Sequence, residues 1–338
     1  MLERAGMITL KLTKDDTFDI GRMSRPTLKV LVDDRIKIVY DMFDGDTIYS
    51  DELNWSDLYF KRSFNSQQIC SEIKSSKILP FGFYYLAYGP NDHYHHRIYW
   101  ALSSKITKPE IKELVVQFMR NSYLASRFFN MSNGRYVSNF ANFEQIPRFD
   151  KEPKIIFFAR LWDPNRSKSK PLIDERIQMN ENRVNIIKML KREFGNLFMG
   201  GLERSDFTLN NYPDLLVKDK MATKKNVYLH HLRQASIGIS TSGLLKSNGA
   251  KIAEYIAGSK AIVSEKLNFQ VPGNFQNKLN YYEFSTVDEC IDNVSFLVNN
   301  KEQRYEMTRR NFLYYQEYLR PDMLVLNSLK QALDRASA

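Results

Sequence analysis

The second half of the sequence alternates short apolar runs with helix-length segments, and this alternation restricts the fold more than any other feature. The run Lys154–Ala159 (KIIFFA) is continuously apolar after its lysine, as expected of a parallel strand buried on both faces. Similar runs occupy Ile237–Ser240 and Lys260–Ser264, and helical patterns at Arg183–Phe194 and Gly249–Ala257 separate them. Strands joined by helices of this length predict right-handed crossovers and a parallel sheet, hence an α/β fold.

The first 150 residues show a different pattern, in which short β-rich runs precede one long helical segment. The runs are Met7–Leu12, Thr27–Val32, Arg35–Met42 and Lys77–Tyr88, and the helical segment is Lys108–Asn130. The stretch 139–153 is polar, contains two prolines and lacks periodicity, so we place a domain boundary there. We therefore expect an N-terminal domain at 1–150, a second domain at 151–319, and a final helix at 320–338 that packs back on the N-terminal domain.

Composition and charge limit the class of protein and the type of partner. Hydrophobic residues make up 43% of the chain and aromatic residues 13%, which excludes a disordered chain. The net charge of +10 favours anionic partners such as nucleic acid, phosphorylated molecules or an acidic membrane surface, although a solvated basic surface explains it equally well. Cys70 and Cys290 form no CxxC pair, and the first residues lack the apolar core of a signal peptide, so we expect a reducing, cytoplasmic location.

Polar and glycine residues follow the predicted strands of the second domain, where ligands of parallel sheets bind. Arg160 directly follows the first strand and opens a basic loop suited to phosphate or pyrophosphate, or simply to solvent. The run Ile237–Ser240 is followed by Thr241, Gly243 and Gly249, and then by a helix that carries Lys251 and Glu254. Glycines let a ligand approach the backbone closely, and free N–H groups at a helix start favour anions. Lys251 and Glu254 are neighbours on that helix, either as ligands of a nucleotide or as an ordinary surface ion pair.

Residues 154 to about 318 resemble the C-terminal, donor-binding domain of two-Rossmann (GT-B) glycosyltransferases of bacterial surface-polysaccharide type. The matching stretches are "KIIFFARLWDP", "FGNLFMGGLE", "ISTSGLLKSNGAKIAEYIAGSKAIVSE" and "NYYEFSTVDECIDNVSFLVNNKEQR". The resemblance implies two Rossmann-like domains facing a cleft, the first of them short or remodelled. It also implies that Arg160 contacts the donor diphosphate and that Glu254 holds the ribose. The retaining branch of the family carries a Glu-x7-Glu pair. Lys246 stands at the position of its first glutamate, so the pair is absent from this sequence.

The N-terminal half resembles the later part of an acceptor domain in the stretches "IKIVYDMFDGD", "WSDLYFKRSF" and "KILPFGF". On this resemblance Asp41, Asp44 and Asp46 are candidate bases for an acceptor hydroxyl, since that role requires a carboxylate within hydrogen-bond reach. An acidic turn between two strands explains the same residues without any catalytic role. His93, His95 and His96 form the densest histidine cluster, but no HExxH or cysteine pattern supports a metal site.

The function implied is transfer of a sugar from a nucleotide-sugar donor to a glycan or lipid-linked acceptor in surface-polysaccharide synthesis. The resemblance implies no metal or other cofactor, and the basic charge leads us to expect peripheral contact with the inner face of the plasma membrane. The alternative is a basic nucleic-acid-binding protein or a catalytically silent Rossmann-like protein. The sequence contains no RRM, KH, helix-turn-helix or Walker A signature, so we expect no nucleic-acid partner.

Overall fold

The computed structural model describes residues 1–11, 26–73, 75–87, 139–219, 222 and 224–337. The predicted helix Lys108–Asn130 and the cluster His93, His95 and His96 lie outside the described residues. The described chain builds two β-sheets, one from residues 27–80 and the other from residues 155–284. This arrangement confirms the predicted α/β class with parallel sheets.

The first unit is a sheet of four strands in the order β1-β2-β3-β4. The strands are β1 (Thr27–Val32), β2 (Ile36–Asp41), β3 (Leu58–Lys61) and β4 (Ile78–Pro80), and the helices are α1 (Ser50–Trp55) and α2 (Ser66–Gln68), which continues as a π turn over Ile69–Ile73. β1 and β2 form an antiparallel hairpin through Asp33 and Asp34, whose φ angles of 50° and 52° are those of a tight two-residue turn. β2, β3 and β4 are mutually parallel, so their carboxyl ends meet at one edge.

The second unit is a parallel sheet of five strands in the order β6-β5-β7-β8-β9. Its strands are β5 (Ile155–Ala159), β6 (Phe198–Leu202), β7 (Ile237–Ser240), β8 (Ala261–Glu265) and β9 (Tyr282–Phe284). Its helices are α3 (Lys170–Phe194), α4 (Asp206–Asn211), α5 (Lys225–Gln234), α6 (Ala250–Ala257), α7 (Val287–Asn299) and α8 (Lys301–Tyr314), which continues as a π-helix over Tyr315–Leu319, and the chain ends in α9 (Pro321–Ser337).

Both faces of the second sheet are covered, and β5 shows how the sequence achieves this. Ile155 and Phe157 pack into a core with α3 and α7, whereas Ile156 packs into a core with α5 and α6. All three are buried. Because successive side chains of a strand point to opposite faces, a strand covered on both sides must be apolar at every position. The continuous run that the sequence shows is therefore the expected pattern.

One segment from each unit packs against the other unit. After β4 the chain leaves the first sheet, and Phe83 packs beside Phe275 and Tyr314 in the core of the second unit. In the other direction, helix α9 packs on the first sheet, where the hydroxyls of Tyr40 and Ser328 lie 2.7 Å apart in a buried hydrogen bond. These two crossings hold the carboxyl edges of the sheets near each other.

The segment 139–150 belongs to the second unit, although the sequence pattern assigned it to the first. Phe143 is fully buried in the core beneath α5 and α6. The backbone N–H of Gln145 donates to Ala257 O (3.2 Å), and Ser236 Oγ donates to Asp150 Oδ2 (2.6 Å). A polar segment without periodicity gave no sign of these contacts, because they are made to residues distant in the sequence.

Other expectations differ at their boundaries. Residues 7–11 form no strand, and within the described part of the run Lys77–Tyr88, residues 77–87, only Ile78–Pro80 pairs in the sheet. Helix α3 begins at Lys170 rather than at Arg183, and residues 170–179 are exposed or half-buried, so this part of the helix shows no continuous apolar stripe. The capping box of α7 is confirmed, with Thr286 Oγ1 accepting from Glu289 N and the Glu289 carboxylate accepting from Thr286 N.

Lys260 lies at the amino end of β8 and is buried with only 2% of its surface exposed. Its ammonium group donates to Gln145 Oε1 (2.9 Å), which links β8 to the segment 139–150. Burial, with a smaller effect from the charge of Arg148, lowers the pKa of Lys260 to about 7, and Asp150 opposes the shift. The group is thus half-neutral near physiological pH.

Replacing Lys260 with Met should flatten the pH dependence of the free energy of unfolding between about pH 7 and 10.5. In this window the unfolded state binds more protons than the folded state, so the native protein gains stability as the pH rises. The slope that is lost is at most about 1.4 kcal/mol per pH unit. Urea unfolding followed by circular dichroism across the window measures it, with the exposed Lys330→Met as the control. Equal slopes for the native protein and Lys260→Met would contradict the prediction.

Candidate functional site

The carboxyl edge of the second sheet is organised around Arg183, a residue of helix α3 that is 8% exposed. Its Nη1 donates to Arg160 O (2.6 Å), its Nε to Thr241 Oγ1 (3.0 Å) and its Nη2 to Ser242 O (2.8 Å). Arg160 follows β5, and Thr241 and Ser242 follow β7, which is its neighbour in the sheet. One guanidinium therefore ties together the two loops to which the sequence assigned ligand binding.

Arg183 was not among the site residues predicted from the sequence, although the sequence contains a signal for it. Asn180 and Arg183 lie on the same face of α3 as Val184 and Ile187, so two polar residues interrupt an apolar stripe. Burial lowers the pKa of Arg183 to about 10, and the charge of Glu265 opposes this shift. The group remains a cation at neutral pH, held by neutral acceptors and one nearby carboxylate.

Arg160 lies at the carboxyl end of β5, as predicted, and its side chain is exposed. The guanidinium carbon is 4.5 Å from the centre of the Trp162 ring. Asn180 holds this loop through two hydrogen bonds, accepting from Trp162 N (2.9 Å) and donating to Trp162 O (2.7 Å). The backbone that carries Arg160 is thus fixed while its cationic head faces solvent.

The loop after β7 is held at several points and contains unusual backbone angles. Ser242 N donates to Glu265 Oε2 (2.6 Å) at the end of β8, and Asn182 Nδ2 donates to Glu265 Oε1. Leu245 and Lys246 have φ angles of 58° and 55°, a region that side-chain-bearing residues adopt at a cost. Strain of this kind persists only where the surroundings impose it, as at many ligand sites.

Helix α6 begins in this loop without a side-chain cap at Gly249. A side-chain carbon at position 249 would overlap Ser240 Oγ and Thr241 O, so only glycine fits here. Ser240 is 1% exposed, and its hydroxyl has no hydrogen-bond partner among the described residues. Gly243 N donates to Ser247 O (2.8 Å) and closes the loop. The result is a helix start with free N–H groups and an unused hydroxyl beside it, which is a typical anion-binding arrangement.

Lys251 and Glu254 of α6 contact each other, and a further residue joins them. Glu254 Oε2 lies 3.3 Å from Lys251 Nζ, and Glu254 Oε1 lies 2.6 Å from Lys225 Nζ at the start of α5. Lys251 Nζ is also 3.7 Å from the centre of the Tyr228 ring. Lys225 was not found from the sequence, because it approaches Glu254 only through the packing of α5 against α6.

The pKa values in this cluster reflect the balance of burial and charge. Burial alone would raise the pKa of Glu254, but the charges of Lys251 and Lys225 outweigh it, so its pKa lies below the ordinary value. Burial lowers the pKa of Lys225, which the charge of Glu254 opposes. Glu254 is therefore an ionised, acceptor-only carboxylate at neutral pH.

The three acidic candidates of the first unit have different environments. Asp41 is fully buried, and its oxygens accept from Phe43 N (2.8 Å), Tyr59 Oη (2.5 Å) and Lys61 Nζ (2.9 Å). This arrangement makes Asp41 a structural anchor of the acidic turn and leaves no exposed oxygen for a substrate. Asp44 has 60% of its side chain exposed and pairs with Arg62. Asp46 is half-buried.

The acidic turn of the first unit lies beside the glycine loop of the second. Leu245 Cδ1 would lie 3.5 Å from a side-chain carbon at Gly45, between Asp44 and Asp46. Nearby, the backbone N–H of Gln270 donates to Phe64 O (2.9 Å), which joins the two units through an isolated β-bridge. The carboxyl edges of both sheets thus line one cleft.

Two further findings concern only the part of the chain that the structure describes. Within it, no group of three or more His, Cys, Asp or Glu side chains is placed to hold a metal ion. None of the helices within the same ranges combines the length and the apolar character needed to cross a bilayer.

Comparison with known proteins found distant similarities. No family model matches the sequence. Among curated proteins, interferon-induced very large GTPase 1 of Homo sapiens is 23% identical over 212 residues, which are 52% of this chain and 9% of that protein. The present chain thus spans less than a tenth of the curated relative that it matches.

Solved structures with partial similarity include Anabaena HepE in complex with UDP, at 11% identity, covering 84% of this chain and 65% of that one, with a TM-score of 0.43. A glycosyltransferase from Rickettsia africae is 10% identical, covers 85% of this chain and 68% of that one, and has a TM-score of 0.41. The C-terminal domain of a group 1 glycosyl transferase (LpcC) from Francisella tularensis is 12% identical and covers 54% of this chain and 98% of that one, with a TM-score of 0.37. Because these sequence identities and TM-scores are low, the function is inferred from the residues of this chain.

Replacing Arg183 with Ala should lower the free energy of unfolding by about 3 kcal/mol, because one buried and two partly buried acceptors lose their donor. Arg183→Lys should recover only part of this loss, since one ammonium cannot reproduce the planar fork. Urea unfolding measures both variants against Arg192→Ala, an exposed arginine of the same helix whose side chain contacts Glu193. A loss no larger than that of Arg192→Ala would show that Arg183 does not hold the edge together.

Proposed function

We propose that this protein transfers a sugar from a nucleotide-sugar donor to a glycan or lipid-linked acceptor. The observation that carries the proposal is the start of helix α6, where Gly249 leaves the helix N-terminus open and the buried hydroxyl of Ser240 is unused. An open helix N-terminus at the carboxyl edge of a parallel sheet suits the phosphates of a nucleotide.

The second unit supplies donor contacts in this proposal. The diphosphate lies at the start of α6, with the guanidinium of Arg160 and the ammonium of Lys251 as its cations. Glu254 accepts hydrogen bonds from the ribose hydroxyls, a role that suits a carboxylate kept ionised by two lysines. Thr241 and Gly243 shape the loop. The Thr241 hydroxyl oxygen already accepts a hydrogen bond from Arg183.

The first unit supplies the acceptor side. Asp44 and Asp46 are the proposed bases, since Asp44 is exposed and Asp46 is half-buried beside the glycine loop. As the acceptor hydroxyl loses its proton to the base, its oxygen bonds to the anomeric carbon and the diphosphate departs with the bonding electron pair. Arg160 and the α6 N-terminus stabilise the negative charge that builds on the diphosphate, and such electrostatic stabilisation is commonly the largest catalytic effect.

We further propose that the acceptor belongs to surface-polysaccharide synthesis and that the protein associates peripherally with an anionic membrane. The support is the net charge of +10, which attracts phospholipid headgroups and is screened by salt.

A nucleotide screen tests the proposed donor. UDP, GDP or CMP should protect the protein against thermal unfolding, whereas a single-stranded oligonucleotide should not. For the nucleotide that binds, Glu254→Gln should weaken binding by about 1–3 kcal/mol without weakening inorganic pyrophosphate binding, because pyrophosphate has no ribose and Lys251 loses its competing carboxylate. Glu306→Gln, on the exposed face of α8, is the control. Protection by the oligonucleotide alone would refute the proposed function.

The second prediction concerns Arg160. Arg160→Ala should lower the donor turnover rate on the order of 100-fold while raising the donor KM less, because its contact strengthens as the diphosphate departs. Arg160→Lys should restore part of the rate, since an ammonium cannot bind two phosphate oxygens as a fork. Released nucleotide is measured beside Arg166→Ala, an exposed arginine of the same loop with 75% of its side chain in solvent. Near-normal turnover in folded Arg160→Ala would place the diphosphate elsewhere.

A further inference from the structure

A narrow pocket lies between the two units and is not used by the proposed donor contacts. Its first wall contains Arg62, which follows β3, and the segment Gly82–Tyr84, which follows β4. Its second wall contains Ser247 and Asn248, which precede helix α6, and Phe269. The pocket is therefore bounded by the carboxyl edge of the first sheet and by the helix start that the proposal assigns to phosphate.

Arg62 is the charged group of the first wall, and it is 7% exposed. Its guanidinium carbon is 4.9 Å from the centre of the Tyr84 ring, and its Nη2 donates to Asp44 Oδ1. Its Nε has no hydrogen-bond partner among the described residues. A buried N–H without an acceptor costs free energy, and the guanidinium that carries this one lines the pocket and is incompletely paired.

The pair of Arg62 and Asp44 can be separated by a ligand. Asp44 has 60% of its side chain exposed, so water can replace Arg62 around its carboxylate, whereas the buried guanidinium needs the ligand anion as its new partner. The turn itself does not depend on that pair, because Ser63 Oγ donates to Phe43 O (3.1 Å) and to Asp44 O (2.6 Å). Arg62 can therefore change its partner while the backbone of the acidic turn stays in place.

The second wall, formed by Ser247, Asn248 and Phe269, carries no charge, so it does not repel an anion. Asn248 and Phe269 exchange two hydrogen bonds, of 2.8 Å and 3.2 Å, which hold the residues before α6 in position. A phosphate has several oxygens, so it can accept from the Arg62 guanidinium on the first wall while the second wall stays in place.

We propose that Arg62 binds a phosphate group carried by the acceptor and that this contact releases Asp44 to act as the base. The inference rests on the proposed function and adds the chemical class of the acceptor, a phosphorylated one. Arg62 belongs to the unit that holds Asp44 and Asp46, whereas all proposed donor contacts belong to the other unit. Once freed, an Asp44 oxygen takes the proton of the acceptor hydroxyl, whose oxygen bonds to the anomeric carbon as the bond from that carbon to the diphosphate breaks.

Calorimetric titration of the full chain tests the assignment. The protein is first saturated with UDP, so that the donor site is filled, and is then titrated with glycerol 3-phosphate or with neutral glycerol as the matched probe. We expect glycerol 3-phosphate alone to bind, and Arg62→Gln to weaken this binding about tenfold or more while UDP affinity changes less than about twofold. Arg309→Gln, an exposed arginine paired with Glu306 on α8, should leave both affinities unchanged.

A second variant separates a lost contact from a damaged fold. Asp44→Asn removes the charge that competes for Arg62, so glycerol 3-phosphate should bind severalfold more tightly, which a disrupted pocket would not produce. The proposal is overturned if Arg62→Gln weakens UDP instead of glycerol 3-phosphate, if the native protein does not bind glycerol 3-phosphate, or if Asp44→Asn weakens its binding. Failure of UDP, GDP and CMP to bind would refute the proposed function instead, and glycerol 3-phosphate binding by the nucleotide-free protein would still report on Arg62.

Discussion

A parallel sheet places the ends of its strands side by side but does not determine where the loops beyond them lie, and in this protein a buried guanidinium supplies that constraint. Arg183 donates hydrogen bonds to Arg160 O, Thr241 Oγ1 and Ser242 O, so the loops after β5 and β7 are held in a fixed position relative to each other. Glu265, at the end of β8, binds Ser242 N and partly balances the buried charge. The open start of helix α6 and the position of Arg160 both depend on this tie.

Charged pairs line both sides of the cleft, and they differ in burial. Asp41 and Lys61 are fully buried, which makes separation expensive and suits an anchor for the acidic turn. Asp44 and Glu254 are each paired with cations at the cleft, but Asp44 is largely exposed whereas Glu254 has 13% of its side chain exposed. Glu254 is thus held in a fixed ionised state, while Asp44 can exchange partners. This difference underlies the separate roles proposed for them.

Much of the fold of the second unit was predictable because its elements have local signals. The apolar run at Lys154–Ala159, the run Ile237–Ser240 and the capping box at Thr286 all coincide with observed elements. The first unit was less predictable, because the four-residue strand β3 is too short to show a period, and residues 7–11, expected in a strand, form none. The segment 139–150 has no local period at all, and only contacts such as that of Gln145 with Ala257 attach it to the second unit.

The candidate site divides in the same way. The sequence alone determined that Arg160 and the glycine loop with Lys251 and Glu254 each follow an apolar strand, because apolar runs and helix spacing are local properties of the chain. Only the tertiary structure decided which polar groups are already engaged. It buried Asp41 against Lys61, brought Lys225 to Glu254, and placed Arg183 beneath two loops. These contacts join residues about 20 to 60 positions apart, and their energies depend on burial, which no local pattern of residues records.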